Sequence, residues 1–282
     1  MDEASRHSLA AYPRRVSIHE HYTHGYSEAV LSSHARRTVE NSFGYGRHLL
    51  QPGLRVLDLG CGPGTITVEL AHAVAPGEVV GVDIDATVLD RARANADGLA
   101  HLTFVEADAT SLGFSDDTFD LSHAHQVLQH LGEPVAALRE LARVTRPGGT
   151  IAVRDADYAA FAWYPEVPGL DRWRGLYRSV ARANGGEPDA GRHLLSWAHA
   201  AGLERVELHS STWTYSAADA TAAWWGQSWA QRVTSSAFAQ RAELLGLATP
   251  SLLGELSNAW LSWAADPDAV FMVPHTELLI TC

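Results

Sequence analysis

Val56-Leu57-Asp58-Leu59-Gly60-Cys61-Gly62-Pro63-Gly64-Thr65 reads as a buried strand that breaks into a glycine turn ahead of a helix. Asp58 to Gly64 has the form D-x-G-x-G-x-G. Glycines there remove the β-carbons that would bar a ligand from the backbone, and they permit the φ angles of a tight turn. The next segment has Ile66, Val68, Leu70 and Val74 among its apolar positions and is expected to aim a helix N-terminus at the ligand. A pyrophosphate cradle has the spacing G-x-G-x-x-G. Here the third glycine, Gly64, arrives one residue early and Thr65 takes its place, which argues against a nicotinamide dinucleotide.

Outward from this turn, strand-like and helix-like segments alternate: Val79 to Val82, Ala86 to Asn95, Leu102 to Val105 and Phe119 to His123. Such alternation marks parallel βαβ units. Val135, Leu138, Leu141 and Val144 recur every third residue behind Pro134, a proline suited to a first helical turn. Pro147-Gly148-Gly149 ends that helix and Thr150 to Val153 resumes a strand. Residues 156 to 200 read as a helical insertion, Arg205 to His209 as a strand, 217 to 265 as mostly helical, and Val270 to Ile280 as a closing strand. All nine tryptophans lie at or after Trp163, so aromatic mass is concentrated where insertions could cover a ligand.

Composition bounds the partners. A chain of 282 residues with 46% hydrophobic content can bury a full core. A net charge of −12 repels phosphate backbones and anionic lipid, so neither nucleic acid nor a membrane is expected, and a neutral or cationic small molecule fits better. The two cysteines, Cys61 and Cys282, suggest no disulfide framework. With an acidic start and no long apolar run, the expectation is a soluble cytoplasmic protein.

Two acids at strand ends sharpen the ligand. Asp83 closes Val79 to Val82 nineteen residues after Gly64, where a doubly wound sheet brings the second strand beside the first and a carboxylate can accept both hydroxyls of a ribose. Asp108 closes the third strand, which would set it against an adenine amino group with Ala109 along the ring.

With these motifs in order, the chain resembles the class I S-adenosylmethionine-dependent methyltransferases from about Val56 to Asp155. The glycine motif matches residues 58 to 64, the ribose acid Asp83, the adenine acid Asp108, the fourth-strand segment 119 to 128 and the turn before the fifth strand 146 to 150. The resemblance implies an α/β, Rossmann-like, seven-stranded and mostly parallel sheet whose last strand enters antiparallel. It also implies a helical arm over residues 1 to 50 and a core over 51 to 282, with cap insertions at about 156 to 200 and 217 to 268. S-adenosylmethionine is the implied cofactor. The expected contacts are Tyr26, Arg37, Asp58, Gly60, Gly62, Gly64, Asp83, Ile84, Asp108, Ala109 and Gln126. Asp58 would either touch the cofactor or hold the loop amides, Arg37 pair with the cofactor carboxylate or a surface acid, and Tyr26 shield the sulfonium or anchor the arm.

More narrowly, the core is similar to quinone-type C-methyltransferases. His21 to Tyr26 and Ser33 to Thr38 look like a subset of actinobacterial natural-product enzymes, some of which methylate indole C3 of tryptophan diketopiperazines. An aromatic small molecule is the expected partner, with a homodimer as the expected assembly. Methyl transfer is an in-line displacement in which positioning can supply about 7–11 kcal/mol, and a modest base then removes a proton. Tyr22, His125 and Asp155 are the candidates, with His125 rather than His123 expected to face the crevice. His19, His21 and His24 have no carboxylate or cysteine cluster to complete a tetrahedral set, so no metal is expected. Trp224, Trp225 and Trp229 read equally as cap packing or substrate walls. Rival readings are O- or N-methylation, a quinone-precursor methyltransferase, an NAD(P)-dependent oxidoreductase and a cofactor-binding protein without catalysis.

Overall fold

The structure, a computed structural model, describes residues 23–25 and 28–282. Five parallel strands, β1 (Arg55–Leu59), β2 (Glu78–Asp83), β3 (Leu102–Glu106), β4 (Phe119–His125) and β5 (Thr145–Ala156), lie in the order β3-β2-β1-β4-β5. The order reverses between β1 and β4, which opens a crevice outside their carboxyl ends. Beside β5 the closing strand β8 (Val270–Thr281) runs antiparallel, and it pairs with both β6 (Ala162–Tyr164) and β7 (Val206–Ser216).

The sheet therefore has eight strands where seven are expected. The added one, β6, has three residues inside a segment expected to be helical, too short for an alternating pattern; its pairing with Val270 to Met272 defines it. β7 runs on to Ser216 for the same reason, since β8 offers partners as far as Val270.

Each face of the sheet has its own cover. Helix α5 (Pro134–Val144) buries Ala137, Leu138, Leu141 and Val144 against Leu57, Leu59, Ile151 and Ile280. α7 (Leu194–Ala200) joins that layer through Leu194 and Ala198, so the end of the first insertion packs on the sheet and not in the cap. On the opposite face, α3 (Thr65–Val74) packs Leu70, Ala71 and Val74 on Val56, Val79 and Leu121. α4 (Ala86–Asn95) flanks it, its N-terminus capped by Asp85 accepting from Thr87 and Val88 amides. The arm helices α1 (Glu28–His34) and α2 (Val39–Ser42) lead into Gly44–Leu49, and Phe43 is buried in the α3 layer.

This second face changes character along the strands. Paired neighbours share a face, so Val56, Leu121, Ala152 and Leu279 form an apolar start, and Asp58, His123, His125, Arg154 and Glu277 follow toward the crevice. Burying so many polar groups costs free energy unless each is bonded, and it places chemistry at the carboxyl ends.

The cap comprises α6 (Pro168–Ala183), α8 (Thr221–Ser235), α9 (Ala237–Leu244) and α10 (Pro250–Ala264). Trp173, Trp229, Trp260 and Trp263 are fully buried there. Among the described residues, no helix is long and apolar enough to cross a membrane.

Candidate functional site

The glycine turn has left-handed backbone at Gly60 (φ 65°), Gly62 (φ 53°) and Gly64 (φ 78°). A β-carbon on Gly60 would lie 2.3 Å from Val127 Cγ2, so the turn is pressed against the loop after β4. One on Gly62 would project toward His34, with its nearest neighbour 3.8 Å away.

Asp83 closes the turn from the side. One carboxylate oxygen accepts from the Gly62 amide at 3.0 Å and the other from the Asp85 amide at 3.1 Å, and burial raises its pKa. Asp108 Oδ1 accepts from the amide (2.7 Å) and hydroxyl (2.6 Å) of Thr110, which folds the chain so that Asp108 and Ala109 border the same cavity. Ile84 lies on that wall with 57% of its surface exposed, an apolar face available to a flat ring. Asp58 reaches the cavity from below, but its oxygens are engaged by Thr67 Oγ1 (2.6 Å) and His123 Nδ1 (2.7 Å). It ties α3 to β4, and no loop amide bonds to it.

His123 and His125 are two residues apart on β4 and so share a face. Depth separates them, not side, which corrects the expectation that only one can point to the crevice. The Phe43 ring, 4.8 Å from that of His123, covers the inner histidine, while His125 borders the cavity. His125 is 4% exposed and neither ring nitrogen has a hydrogen-bond partner among the described residues. Burial, with Arg37 and Arg154 adding, holds its pKa well below the usual histidine range, so the imidazole is neutral.

Asp155 is placed differently from the expectation. It lines neither cavity described here; Oδ1 accepts from the Gln129 amide at 3.1 Å and Oδ2 is buried without a partner among the described residues. Burial pushes its pKa up to about 8. Tyr22, Tyr26, His19 and His21 lie outside the described residues.

The cofactor-side cavity measures about 240 Å³. Behind it lies a smaller one of about 30 Å³, walled by Tyr158, Phe161, Trp213, Trp225 and Trp229 with Arg232 among them. His34, Arg37 and Gln126 border both. Arg37 donates to Gln126 Oε1 at 2.5 Å. The tryptophan triplet thus divides by residue: Trp225 and Trp229 wall the aromatic cavity as well as packing the cap, whereas Trp224 is half-buried under the Arg36 guanidinium, 4.3 Å from its ring centre. His24 is a core histidine, its Nε2 bonded to the hydroxyls of Tyr177 (2.8 Å) and Tyr158 (3.3 Å). Among the described residues, no group of three His, Cys, Asp or Glu could hold a metal.

His34, His130, Trp213, Arg232 and His275 border or back the site and are absent from the sequence expectations. One signal was available. Phe271, Val273, His275, Glu277 and Leu279 alternate along β8 on one face, and two polar residues interrupt that apolar series.

The cradle suits an adenosyl cofactor: glycines leave backbone exposed, Asp83 can accept from a ribose, Asp108 stands at the far end and Ile84 offers an apolar face. Residues 50–187 match the family model for a methyltransferase domain. An uncharacterised methyltransferase of Schizosaccharomyces pombe is 35% identical over 270 residues, covering 92% of this chain and 95% of that protein. A ubiquinone/menaquinone biosynthesis C-methyltransferase of Bdellovibrio bacteriovorus is 41% identical over 103 residues, 36% of this chain and 43% of that one. The crystal structure of the YcgJ protein of Bacillus subtilis has the same fold, with a TM-score of 0.57 at 20% identity over 86% of this chain and 98% of that one. The nicotinamide reading is set aside with these matches: the chain belongs to the class I S-adenosylmethionine-dependent methyltransferases.

Proposed function

We propose that this methyltransferase methylates carbon on an aromatic small molecule of natural-product metabolism, with indole C3 of a tryptophan diketopiperazine as the leading substrate. The observation that carries the reading is the aromatic cavity behind the cofactor site, joined to it through His34, Arg37 and Gln126. Aromatic pairs add about 0.5–1.5 kcal/mol beyond area burial, so rings on several sides favour a flat acceptor and exclude water.

When bound, S-adenosylmethionine supplies an electrophilic methyl group on a sulfonium. The glycine turn, Asp83, Asp108 and Arg37 are the residues that would hold it. The chain then contributes positioning and proton removal. Trp213, Trp225 and Trp229 orient the acceptor ring, and His125, buried, neutral and with neither nitrogen bonded among the described residues, accepts the proton that a C3-methylated indole sheds. Asp155, bonded beneath the wall, supports the turn that carries Gln129.

Incubation of the purified protein with cofactor and a panel of indoles, including tryptophan diketopiperazines, tests the reading. A gain of one methyl mass with a carbon-bound methyl resonance is expected; no gain across the panel overturns it. Methylation of a quinol ring is the second reading, favoured by the similarity to the quinone C-methyltransferase, and the same panel extended to demethylated quinols distinguishes the two. An O-methyl or N-methyl product contradicts both.

A further inference from the structure

Behind the junction of the two cavities runs a short hydrogen-bond chain from the arm to the closing strand. Arg37 Nη2 donates to Gln126 Oε1 at 2.5 Å, and Gln126 Nε2 lies 2.8 Å from His275 Nε2. The directions follow from the donors available. A guanidinium only donates, so the Gln126 carbonyl oxygen must face Arg37 and its NH2 must face His275. His275 Nε2 therefore accepts, which leaves the ring hydrogen on Nδ1. The backbone that carries this side chain is left-handed at Gln126 (φ 55°), and its main-chain N–H donates to Arg154 O at 2.7 Å. His275 is 2% exposed, and the Trp213 ring crosses it edge to face at 4.6 Å.

We propose that His275 is a positioning residue for cofactor binding: as a fixed acceptor it orients the Gln126 amide, which in turn holds Arg37 at the mouth between the two cavities. This rests on Arg37 meeting the cofactor. With no acceptor behind it, the Gln126 NH2 loses its partner and the side chain is no longer held in one orientation, so Arg37 loses a fixed acceptor at the junction. His275 itself borders neither cavity, so its effect on the cofactor runs through Gln126. Burial, with Arg154 adding, holds its pKa well below the usual histidine range and keeps it an acceptor at neutral pH.

Calorimetric titration of S-adenosylhomocysteine into the full-length protein tests this, using Arg37→Ala, His275→Leu, His275→Gln and the Arg37→Ala/His275→Leu double variant. His275→Leu is expected to weaken binding about tenfold, by loss of a hydrogen bond that acts on a charged group, and to raise the cofactor KM by a similar factor while kcat stays within about twofold. His275→Gln, which restores an acceptor, is expected to bind within twofold of the unmodified protein. The double variant should bind no more weakly than Arg37→Ala alone, because one chain links the two sites. Unchanged affinity in His275→Leu, or effects that add in full, overturns the proposal. Unchanged affinity in Arg37→Ala also overturns it, while leaving the adenosine end of the site, which depends on Asp83, standing. If the leucine variant does not fold, His275→Met carries the same comparison.

Discussion

Asp155 and His125 end adjacent strands, yet burial acts on them in opposite senses. It raises the carboxyl to about 8 and holds the imidazole well below its usual range, because both side chains are stabilised in their neutral forms. For Asp155 the folded pKa exceeds the unfolded one. Its contribution to stability is complete below the unfolded pKa and is lost as pH rises toward 8. Asp155→Asn keeps an oxygen for the Gln129 amide and cannot ionise. Thermal melts should therefore show equal stability near pH 4 and a growing advantage for the asparagine variant up to pH 8; a gap that closes with rising pH contradicts this. For His125 the base form persists to well below pH 6.5, so turnover should stay level from about pH 8 down past 6.5, and a fall centred near 6.5 contradicts this. His125→Ala should lower kcat by about a hundredfold, within the range for a positioned base, and a pH–rate profile of both proteins reads the two effects together.

At the scale of elements, the cap is held by interleaved indoles. Trp173 on α6 stands with ring centres 4.5 Å from Trp229 on α8 and 4.7 Å from Trp260 on α10, so three helices meet on one side chain. Trp173→Ala should cost about 3–5 kcal/mol and lower Tm by about 10 °C, as measured by thermal unfolding. The glycine turn, the acids ending β2 and β3, and the helix behind Pro134 were legible in the sequence because each depends on neighbours within a few residues. β6, Trp213 and His275 were not legible. Their roles depend on pairings between segments distant in the chain, such as Trp213 opposite Val273, which no local pattern encodes. The placement of Asp155 beneath the cavity wall was not legible either, because a strand's end does not specify whether a side chain faces the cavity or the layer beneath it.

Across the whole molecule, the arm, the parallel sheet and the cap meet at one place. Arm residues His34 and Arg37 border both cavities, the His34 carbonyl accepts from Thr65 Oγ1 at 3.1 Å, and the Asn41 carbonyl accepts from Trp213 Nε1 at 2.7 Å. Ligand bound beneath the arm should therefore slow its exchange. Hydrogen exchange with and without S-adenosylhomocysteine is expected to show protection at residues 30 to 42 together with residues 60 to 66, and protection confined to the cap contradicts that arrangement. The central claim is that the turn at Gly60 to Gly64 and the carboxylate of Asp83 hold one adenosyl ligand. Calorimetric titration of S-adenosylmethionine into the unmodified protein and into Asp83→Ala tests it most directly. One-to-one binding that weakens at least tenfold in the variant is the expected result; equal affinity in the two proteins contradicts it.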